Sequence, residues 1–596
     1  MAGLMEPSAS ENESLTSVTG PNLENEPLMP AYVAIQPASA TESRDYPDQE
    51  SRTKLYLFLL TLSMGGLEIV WSAQHSNGSP FLASLGMSKS LLAFVWVAGP
   101  LTGIIAQPYI GIRSDNCRSS WGKRKPFMVI GGAATVIFLL ALAWVREIAS
   151  VITGVFNIDV QSDGAKVTTI VIATVLVYCL DFSINSGINA FNSQQVKSSD
   201  LSSFKNQANA WGSRLASAGN IFGYILGYMN LPKAFPIFGN TQFKVLGVIA
   251  SFFLAITLAI SCSYIKEKDP RKERPALQNL SIISCCTLTL RYIPRLSLRI
   301  RKVCGIQFAA WCGWLPFLFY STMFIGQIYA NPIFEKDRDL SDGEITKIWE
   351  DATRIGTFAL LINAVISLVA SVVLPLLVTP SDKEIKKPGD ASINSELERP
   401  VSTPDISGWT TVNEHNTETQ KNRRDVSKFN IPGLTLKRAW LLSHVLFAGC
   451  MFSTALISSV QAASAIIGIV GVSWAVTLWA PFAFISAEVA QYNQAETQSQ
   501  DVQGRPYDER VVPWATDDYE GPLVDDEDRA ANQSGVVLGI HNICVSFPQI
   551  ISTLISSGIF HALQKPRGEP WDDSVGWVLR FAGCAALVAA FLTNSM

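Results

Sequence analysis

Long apolar stretches separated by polar connections set the pattern of this chain. Each stretch contains about 20 mostly apolar residues, the length that a helix needs to cross a bilayer. Because an unpaired backbone group is costly in lipid, each stretch is predicted to be an α-helix. The stretches form two sets of six: 55–74, 91–112, 126–145, 167–188, 209–229 and 243–265, then 303–329, 354–378, 439–460, 465–488, 535–560 and 575–592. The pattern predicts an all-α membrane protein with twelve transmembrane helices in two six-helix halves.

Polar segments divide the chain further. The segment 1–51 is rich in Ser, Glu, Pro and Asn. Two loops of the second half, 381–436 and 491–533, are polar and have no apolar period. Such compositions cannot bury enough apolar surface to fold. We therefore expect a disordered tail and two disordered loops. The predicted organisation is a tail (1–51), an N-terminal half (52–265), a connector (266–302) and a C-terminal half (303–593).

Basic residues are concentrated in two of the connections. The connection 111–126 contains five of them against one acid, and the connector 266–302 contains ten. Cytoplasmic loops of membrane proteins carry an excess of Lys and Arg. Both connections are therefore predicted to be cytoplasmic, together with the tail, the two loops and both termini. The loop 491–533 is acidic, but acidic residues contribute little to orientation.

Composition supports a membrane protein and argues against several other classes. Only 16% of the residues are charged, against roughly 25% in soluble proteins. The net charge of −4 gives no reason to expect nucleic-acid binding. The ten cysteines form no C-x-x-C pair near a histidine, so we expect no metal site. No nucleotide loop or nucleophile–base spacing is present, and we expect no enzyme activity.

Three glycines recur at intervals of four in the fifth stretch, at Gly219, Gly223 and Gly227. This spacing puts three small residues on one face of a helix. Small residues on one face allow two helix backbones to approach closely. We expect this face to pack tightly against another helix.

The connection 111–126 contains a recognisable motif, Gly111-x-x-x-Asp115 followed by Gly122-Lys123-Arg124-Lys125. It resembles the loop signature of the major facilitator superfamily. That loop follows the second of twelve helices, and the resemblance implies that these residues act as a conformational motif.

Further stretches resemble the glycoside–pentoside–hexuronide:cation symporters, in particular the sucrose and α-glucoside proton symporters of plants and fungi. The matching stretches cover most of the predicted membrane-embedded chain. They include Trp96-x-x-Gly99-Pro100, Gln107-Pro108, Leu180-Asp181-Phe182, Asn209-Ala210-Trp211, Gly219-Asn220, Trp314-x-Pro316-Phe317, Gly471-x-Ser473-Trp474, Ala480-Pro481-Phe482-Ala483, Asn542 and Pro548-Gln549. The resemblance implies a sugar importer driven by protons.

Acidic side chains within the apolar stretches are candidates for proton coupling, because charges in a membrane are rare and costly. Asp181 lies in the fourth stretch, where the resembled symporters use an acid for this purpose. Glu68 is the only acid of the first stretch. The alternative for Asp181 is a structural acid paired with a neighbouring helix. Arg214 has three open roles: partner of Asp181, ligand of sugar hydroxyls, or a side chain that reaches the membrane surface.

Amides and aromatic rings are the candidates for sugar binding. Gln74 and Gln327 stand where relatives carry acids, and Asn192 stands where plant relatives carry an arginine. Glutamine can hold a hydroxylated sugar but cannot carry a proton. With Arg214 and Trp71, these residues form the predicted substrate-binding set. Lys89 stands at the position of a histidine of the plant proteins.

The function predicted from these observations is import of sucrose, maltose or a related α-glucoside with protons, by alternating access of the two halves. No cofactor is expected other than the proton as coupling ion. We expect a monomer in the plasma membrane, with the vacuolar membrane as an alternative, and with sugar, protons and lipid as its partners. Two other functions remain open: a passive sugar uniporter, because acids are replaced at Gln74 and Gln327, and a non-transporting sugar receptor.

Overall fold

The computed structural model describes residues 54–159, 162–197, 202–265, 267, 271, 293–337, 339–379, 431–502 and 526–596. Within these ranges the chain forms helices, turns and two isolated bridges, and no β-strand. The all-α prediction is therefore confirmed for the described residues. The predicted tail 1–51, most of the connector 266–302 and the segment 381–430 lie outside them.

The described residues up to Tyr264, which we call the first half, form eight helices of seven residues or more and a four-residue helix, Leu231–Ala234. The first is interrupted by a π-helical turn at Gln74–Gly78, and the second and third are separated by a short break near Trp96. They are α1 (Lys54–Ser84), α2 (Lys89–Val95), α3 (Ala98–Asp115), α4 (Lys125–Ala143), α5 (Val145–Val155), α6 (Asp163–Lys197), α7 (Ser202–Tyr228) and α8 (Gln242–Tyr264).

The described residues from Leu298 onward, which we call the second half, form six α-helices. They are α9 (Leu298–Lys336), α10 (Asp342–Leu377), α11 (Leu436–Ser453), α12 (Val460–Val502), α13 (Asp526–Leu563) and α14 (Ser574–Asn594). Within the described part of the chain, ten helices are long and apolar enough to cross a membrane, if α2 and α3 are counted as one. The less apolar α7 and α11 pack into the same bundle, α7 against α1 and α11 against α14.

The glycine face of α7 packs directly against α1, as predicted. A Cβ atom added at Gly219 would lie 2.2 Å from the backbone oxygen of Gly65, and one added at Gly223 would lie 2.5 Å from Cβ of Ser72. Both distances are far below van der Waals contact. Only glycine permits this approach of the two helices.

Polar contacts join the two halves at one end of the bundle, which we call the Lys89 end. Lys89 at the start of α2 forms an ion pair with Asp572, in the connection between α13 and α14. Ser90 donates to the backbone oxygen of Ser557 at 3.0 Å, and the Ser557 hydroxyl donates to the backbone oxygen of Ser90 at 2.9 Å. The opposite end, where α3 ends and α4 begins, we call the Arg124 end.

Several helices extend beyond their predicted limits. Helix α12 continues to Val502 and α13 begins at Asp526, so both ends of the segment 491–533, predicted to be disordered, are helical. Helix α7 begins at Ser202 rather than at residue 209, so Arg214 lies about three turns after the start of the helix rather than about one. The apolar pattern marks only the part of a helix suited to lipid, whereas Gln, Glu, Lys and Ala favour continuation of the helix beyond it.

Candidate functional site

A buried amide–carboxyl pair joins α1 to α6. The π-helical turn of α1 carries Gln74, whose Nε2 atom donates a hydrogen bond of 2.8 Å to Oδ1 of Asp181. Both side chains are more than 90% buried. Within the described residues, Oε1 of Gln74 and Oδ2 of Asp181 are buried without a hydrogen-bond partner. The pair therefore retains two acceptor atoms that a bound molecule or a proton could occupy.

A chain of amide side chains continues from this pair into the second half. Asn185, one turn after Asp181, donates through Nδ2 to the Asp181 backbone oxygen and to the Thr102 hydroxyl, each at 2.9 Å. Gln107 donates to Oδ1 of Asn185 at 2.9 Å, and Asn542 of α13 donates to Oε1 of Gln107 at 3.0 Å. Helices from both halves are thus linked by hydrogen bonds to the helix that carries Asp181.

Aromatic rings lie close to Gln74 on α1. The Trp71 and His75 rings are stacked with their centroids 5.3 Å apart, and His75 meets Phe319 of α9 edge-on at 5.1 Å. Phe319 also stacks on Trp96 at 4.2 Å. The Trp96 indole donates to the hydroxyl of Ser79 at 3.0 Å. These rings provide an apolar surface that spans both halves next to the amide–carboxyl pair.

Two of the remaining predicted residues, Glu68 and Arg214, have no hydrogen bond or ion pair with Asp181 within the described residues. Glu68 is half-buried on α1, near Tyr224 of α7. Arg214 is exposed, with its guanidinium 5.7 Å from the centroid of the Trp211 ring, and within the described part of the chain no ion pair joins it to Asp181. Of the three roles left open for Arg214, pairing with Asp181 is therefore wrong in this structure. The side chain of Asn192 lies outside the described residues.

Gln327 lies in a different part of the molecule from Gln74. It follows Phe319 by eight residues on α9, which is about 12 Å along a helix axis at about 1.5 Å per residue. Gln327 is buried and lines a cavity of about 430 Å³ at the Lys89 end, formed by both halves. The structure thus separates the two glutamines that the sequence groups in one substrate site.

The conformational motif lies at the Arg124 end. The buried Arg124 guanidinium donates to the hydroxyl of Ser114, three residues after Gly111. Glu267 accepts hydrogen bonds from the backbone N–H groups of Arg124 at 3.0 Å and Lys125 at 3.1 Å. A carboxylate at the start of α4 satisfies backbone donors that have no partner within the helix and interacts favourably with the helix dipole.

The glycine of this motif is required by the same contact. Gly122 has φ +114°, and a Cβ atom there would lie 2.1 Å from the Glu267 carboxylate. Lys123 belongs to the same turn, and the side chain of Asp115 lies outside the described residues. Sequence reasoning missed Glu267, although its position as an acid between two lysines in a basic connector is unusual.

The family model of MFS/sugar transport proteins matches residues 63–292. A general alpha-glucoside permease of Schizosaccharomyces pombe is 32% identical over 91% of this chain and 93% of its own length. The sucrose transport protein SUT3 of Oryza sativa subsp. japonica is 26% identical over 52% of this chain and 62% of its own length.

Among solved structures, a mutant of the nucleoside transporter NupG has the same fold, with a TM-score of 0.52 and 11% identity over 90% of this chain and 98% of that chain. At this identity the likeness concerns the fold alone. Fold and relatives agree that this is an integral membrane transporter and not an enzyme. The chain belongs to the MFS/sugar transport protein family.

Proposed function

We propose that this protein imports α-glucosides such as sucrose or maltose together with protons, by alternating access. The observation that carries the proposal is the buried pair of Gln74 and Asp181. The names of the relatives, a general alpha-glucoside permease and a sucrose transport protein, support this substrate class. The proton is the coupling ion, and the cycle needs no other cofactor.

The proposed orientation has the Arg124 end in the cytoplasm and the Lys89 end outside. The basic motif 111–126 belongs to the first of these ends, and positive charge favours the cytoplasmic side. With α7 and α11 as membrane spans, the number of spans becomes twelve and both termini are cytoplasmic. We expect a monomer in the plasma membrane, with the vacuolar membrane as the alternative.

In this orientation the protein is closed to the outside. The ion pair between Lys89 and Asp572, together with the reciprocal hydrogen bonds of Ser90 and Ser557, holds the two halves together there. Opening this end requires all three contacts to break. In alternating access, the Lys89 end then opens while the Arg124 end closes, and the reverse change follows.

The proton is proposed to bind Asp181. An ionised carboxylate that is buried with one neutral partner is costly, whereas the protonated acid is not. An external proton therefore binds Asp181 while the Lys89 end is open. Oδ2 of Asp181 and Oε1 of Gln74 then bind hydroxyl groups of the sugar, and the nearby rings contact its apolar face. After the Arg124 end opens, water reaches the carboxyl group, the proton leaves and the sugar is released.

One alternative has a specific observation in its favour. The only described side-chain partner of Asp181 is an amide, which cannot carry a proton. If Asp181 acts only as a structural group, the protein is a passive uniporter. A receptor that binds sugar without transporting it is the third possibility.

The test is uptake of labelled sucrose and maltose into cells that lack their own α-glucoside transport, with and without a protonophore. We expect accumulation that the protonophore abolishes, and loss of accumulation with retained sugar exchange in Asp181→Asn. The matched control is Asp163→Asn, the same substitution at an exposed position of the same helix. Uptake that persists down the gradient and is unaffected by the protonophore would establish a uniporter. Binding without any uptake would favour a receptor.

A further inference from the structure

The cavity at the Lys89 end contains buried polar atoms that have no partner. Gln327 and Thr322 of α9 and Trp349 of α10 line it. Within the described residues, the Nε2 atom of Gln327, the hydroxyl of Thr322 and the Nε1 atom of Trp349 are buried without hydrogen bonds. Buried polar groups in proteins are nearly always hydrogen-bonded, so each unpaired one calls for an explanation. The three side chains border the same cavity, although the unpaired atoms themselves are covered, so a ligand there supplies the missing partners once the side chains change rotamer.

The size of the cavity fits a small organic molecule. Its volume of about 430 Å³ lies within the ~300–1,000 Å³ that is typical of small-molecule sites. Phe334 and Trp349 provide aromatic walls, with ring centroids 6.1 Å apart. Aromatic walls combined with a few hydrogen-bonding groups match a sugar, which has an apolar ring face and a rim of hydroxyls.

The charged side chains that line the cavity are either paired within its wall or exposed at its rim. Lys89 is neutralised by Asp572 within the wall. The other charged lining residues, Lys565, Arg567 and Glu569, are exposed. The three unpaired groups are themselves uncharged: two are N–H donors and one is a hydroxyl. A hydroxylated neutral molecule satisfies them without burying an unpaired charge.

The cavity is separate from the pair of Gln74 and Asp181. Gln327 lies about 12 Å further along α9 than Phe319, which belongs to the aromatic surface beside Gln74. The connection 564–572 forms its rim, and much of this connection is exposed. The cavity is therefore open at the Lys89 end even while the contacts of Lys89 and Ser90 hold the halves closed.

We propose that this cavity is a second sugar site, an outer subsite that binds one α-glucoside molecule before the Lys89 end opens. This assignment rests on the proposed function, which makes the Lys89 end the outer face. With these side chains turned toward the cavity, hydroxyl oxygens of the sugar accept from Gln327 Nε2 and Trp349 Nε1, and the Thr322 hydroxyl completes the set. The outer subsite concentrates sugar next to the contacts that must break for it to reach Asp181.

The experiment is equilibrium dialysis of the purified full-length protein against radiolabelled maltose. We expect two molecules bound per chain in the wild type. Gln327→Leu combined with Trp349→Phe removes two donors while keeping both side chains close in size, and we expect it to weaken the outer site at least about tenfold, leaving one molecule bound. Trp577→Phe, at an exposed tryptophan of α14, is the matched control. Thermal melting of each variant verifies that it is folded.

The outcomes separate the subsite from the function. One bound molecule in the wild type, unaffected by the double variant, overturns the subsite and leaves the proposed function intact. A single bound molecule in the wild type that is lost both in the double variant and in Asp181→Asn shows one shared site and likewise overturns a separate subsite. No binding and no uptake in the wild type overturns both proposals. Stronger displacement by glucose 6-phosphate than by unlabelled maltose would assign the cavity to anions and overturn a neutral-sugar site.

Uptake kinetics supply a second readout. Because the outer subsite concentrates sugar without taking part in the proton step, Thr322→Val and Trp349→Phe are expected to raise KM several-fold and to leave the maximal uptake rate nearly unchanged. A fall in maximal rate with an unchanged KM would contradict the subsite, since it would point to a role in the conformational cycle instead.

Discussion

The ion pair between Lys89 and Asp572 offers a direct test of how the two halves are held closed. Oδ1 of Asp572 accepts from the Ser574 backbone at 2.9 Å, and Oδ2 accepts from the Lys565 backbone at 3.1 Å as well as from Lys89. Asp572→Asn keeps the shape and one acceptor oxygen but removes the charge. The ammonium group of Lys89, largely buried, then loses its counter-charge.

The magnitude follows from the burial of the pair. Breaking a fully buried ion pair costs about 3–5 kcal/mol, and an exposed pair contributes about 0–1 kcal/mol. The side chains here are 15% and 7% exposed, and they lie at the end of the bundle rather than in its centre. We therefore expect a loss of about 2 kcal/mol, which shifts the equilibrium toward the open Lys89 end about 30-fold. Ser90 and Ser557 keep their hydrogen bonds, so the closed state weakens without disappearing.

The assay is the distance between spin labels on opposite halves at the Lys89 end. Ile237 and Leu456 are each 87% exposed, in connections of the first and second half respectively. Labels are attached to cysteines at these positions in a background from which the native cysteines have been removed. We expect Asp572→Asn and Lys89→Ala to increase the population of long distances.

The neighbouring residue supplies the control. Asp573 pairs with Arg580 of its own half, at 2.7 Å, so Asp573→Asn should leave the distance distribution unchanged. If Asp572→Asn and Lys89→Ala also leave it unchanged, the ion pair does not hold the halves together. The reasoning would then be refuted.

Three further predictions follow from other contacts. Gly219→Ala forces a methyl group against the α1 backbone and should lower stability by about 1–3 kcal/mol in thermal melts, whereas Gly449→Ala, which has open space, should be neutral. Glu267→Gln keeps only one of the two acceptor oxygens, sets an NH2 group against the other backbone N–H and removes the charge at the start of α4, so we expect a lower maximal uptake rate with unchanged maltose binding by dialysis. Burial raises the pKa of Asp572, but the nearby Lys89 and the hydrogen bonds outweigh it and hold the pKa below its usual range. The closing contact is therefore complete above the usual aspartate pKa of about 3.9 and is lost as the pH falls through the lowered value. In Asp181→Asn, which removes the proposed coupling proton, spin-label distances should be constant from about pH 5 to 7, and opening within that range would contradict this.

The sequence alone was sufficient for the helices and for naming both members of the buried pair, Asp181 and Gln74, although not for their contact. The length of an apolar run is a local property, and lipid leaves the backbone no alternative to a helix, so the all-α architecture could be predicted without tertiary contacts. An acid in an apolar stretch is conspicuous for the same reason, which is why Asp181 could be named in advance. The glycine spacing of α7 likewise predicted its packing, because helical periodicity puts the three glycines on one face.

The partners of these residues were decided only by the tertiary structure. Asp181 meets Gln74 rather than Arg214, because a π-helical turn carries Gln74 on α1 whereas Arg214 is exposed against Trp211. Gln327 resembles Gln74 in chemistry but lies in the cavity at the Lys89 end. The rotation of each helix about its axis and the height of each residue along it depend on contacts between distant segments, which no local pattern records.

The contacts that join distant segments could likewise be predicted only in part from the sequence. Glu267 at the start of α4 and Asp572 opposite Lys89 are separated from their partners by more than a hundred residues. The sequence determined that charges stand in these connections and on which side of the membrane they are expected. Only the folded chain decided which charge caps a helix and which one joins the two halves, because an ion pair depends on distance in space and not on position along the chain.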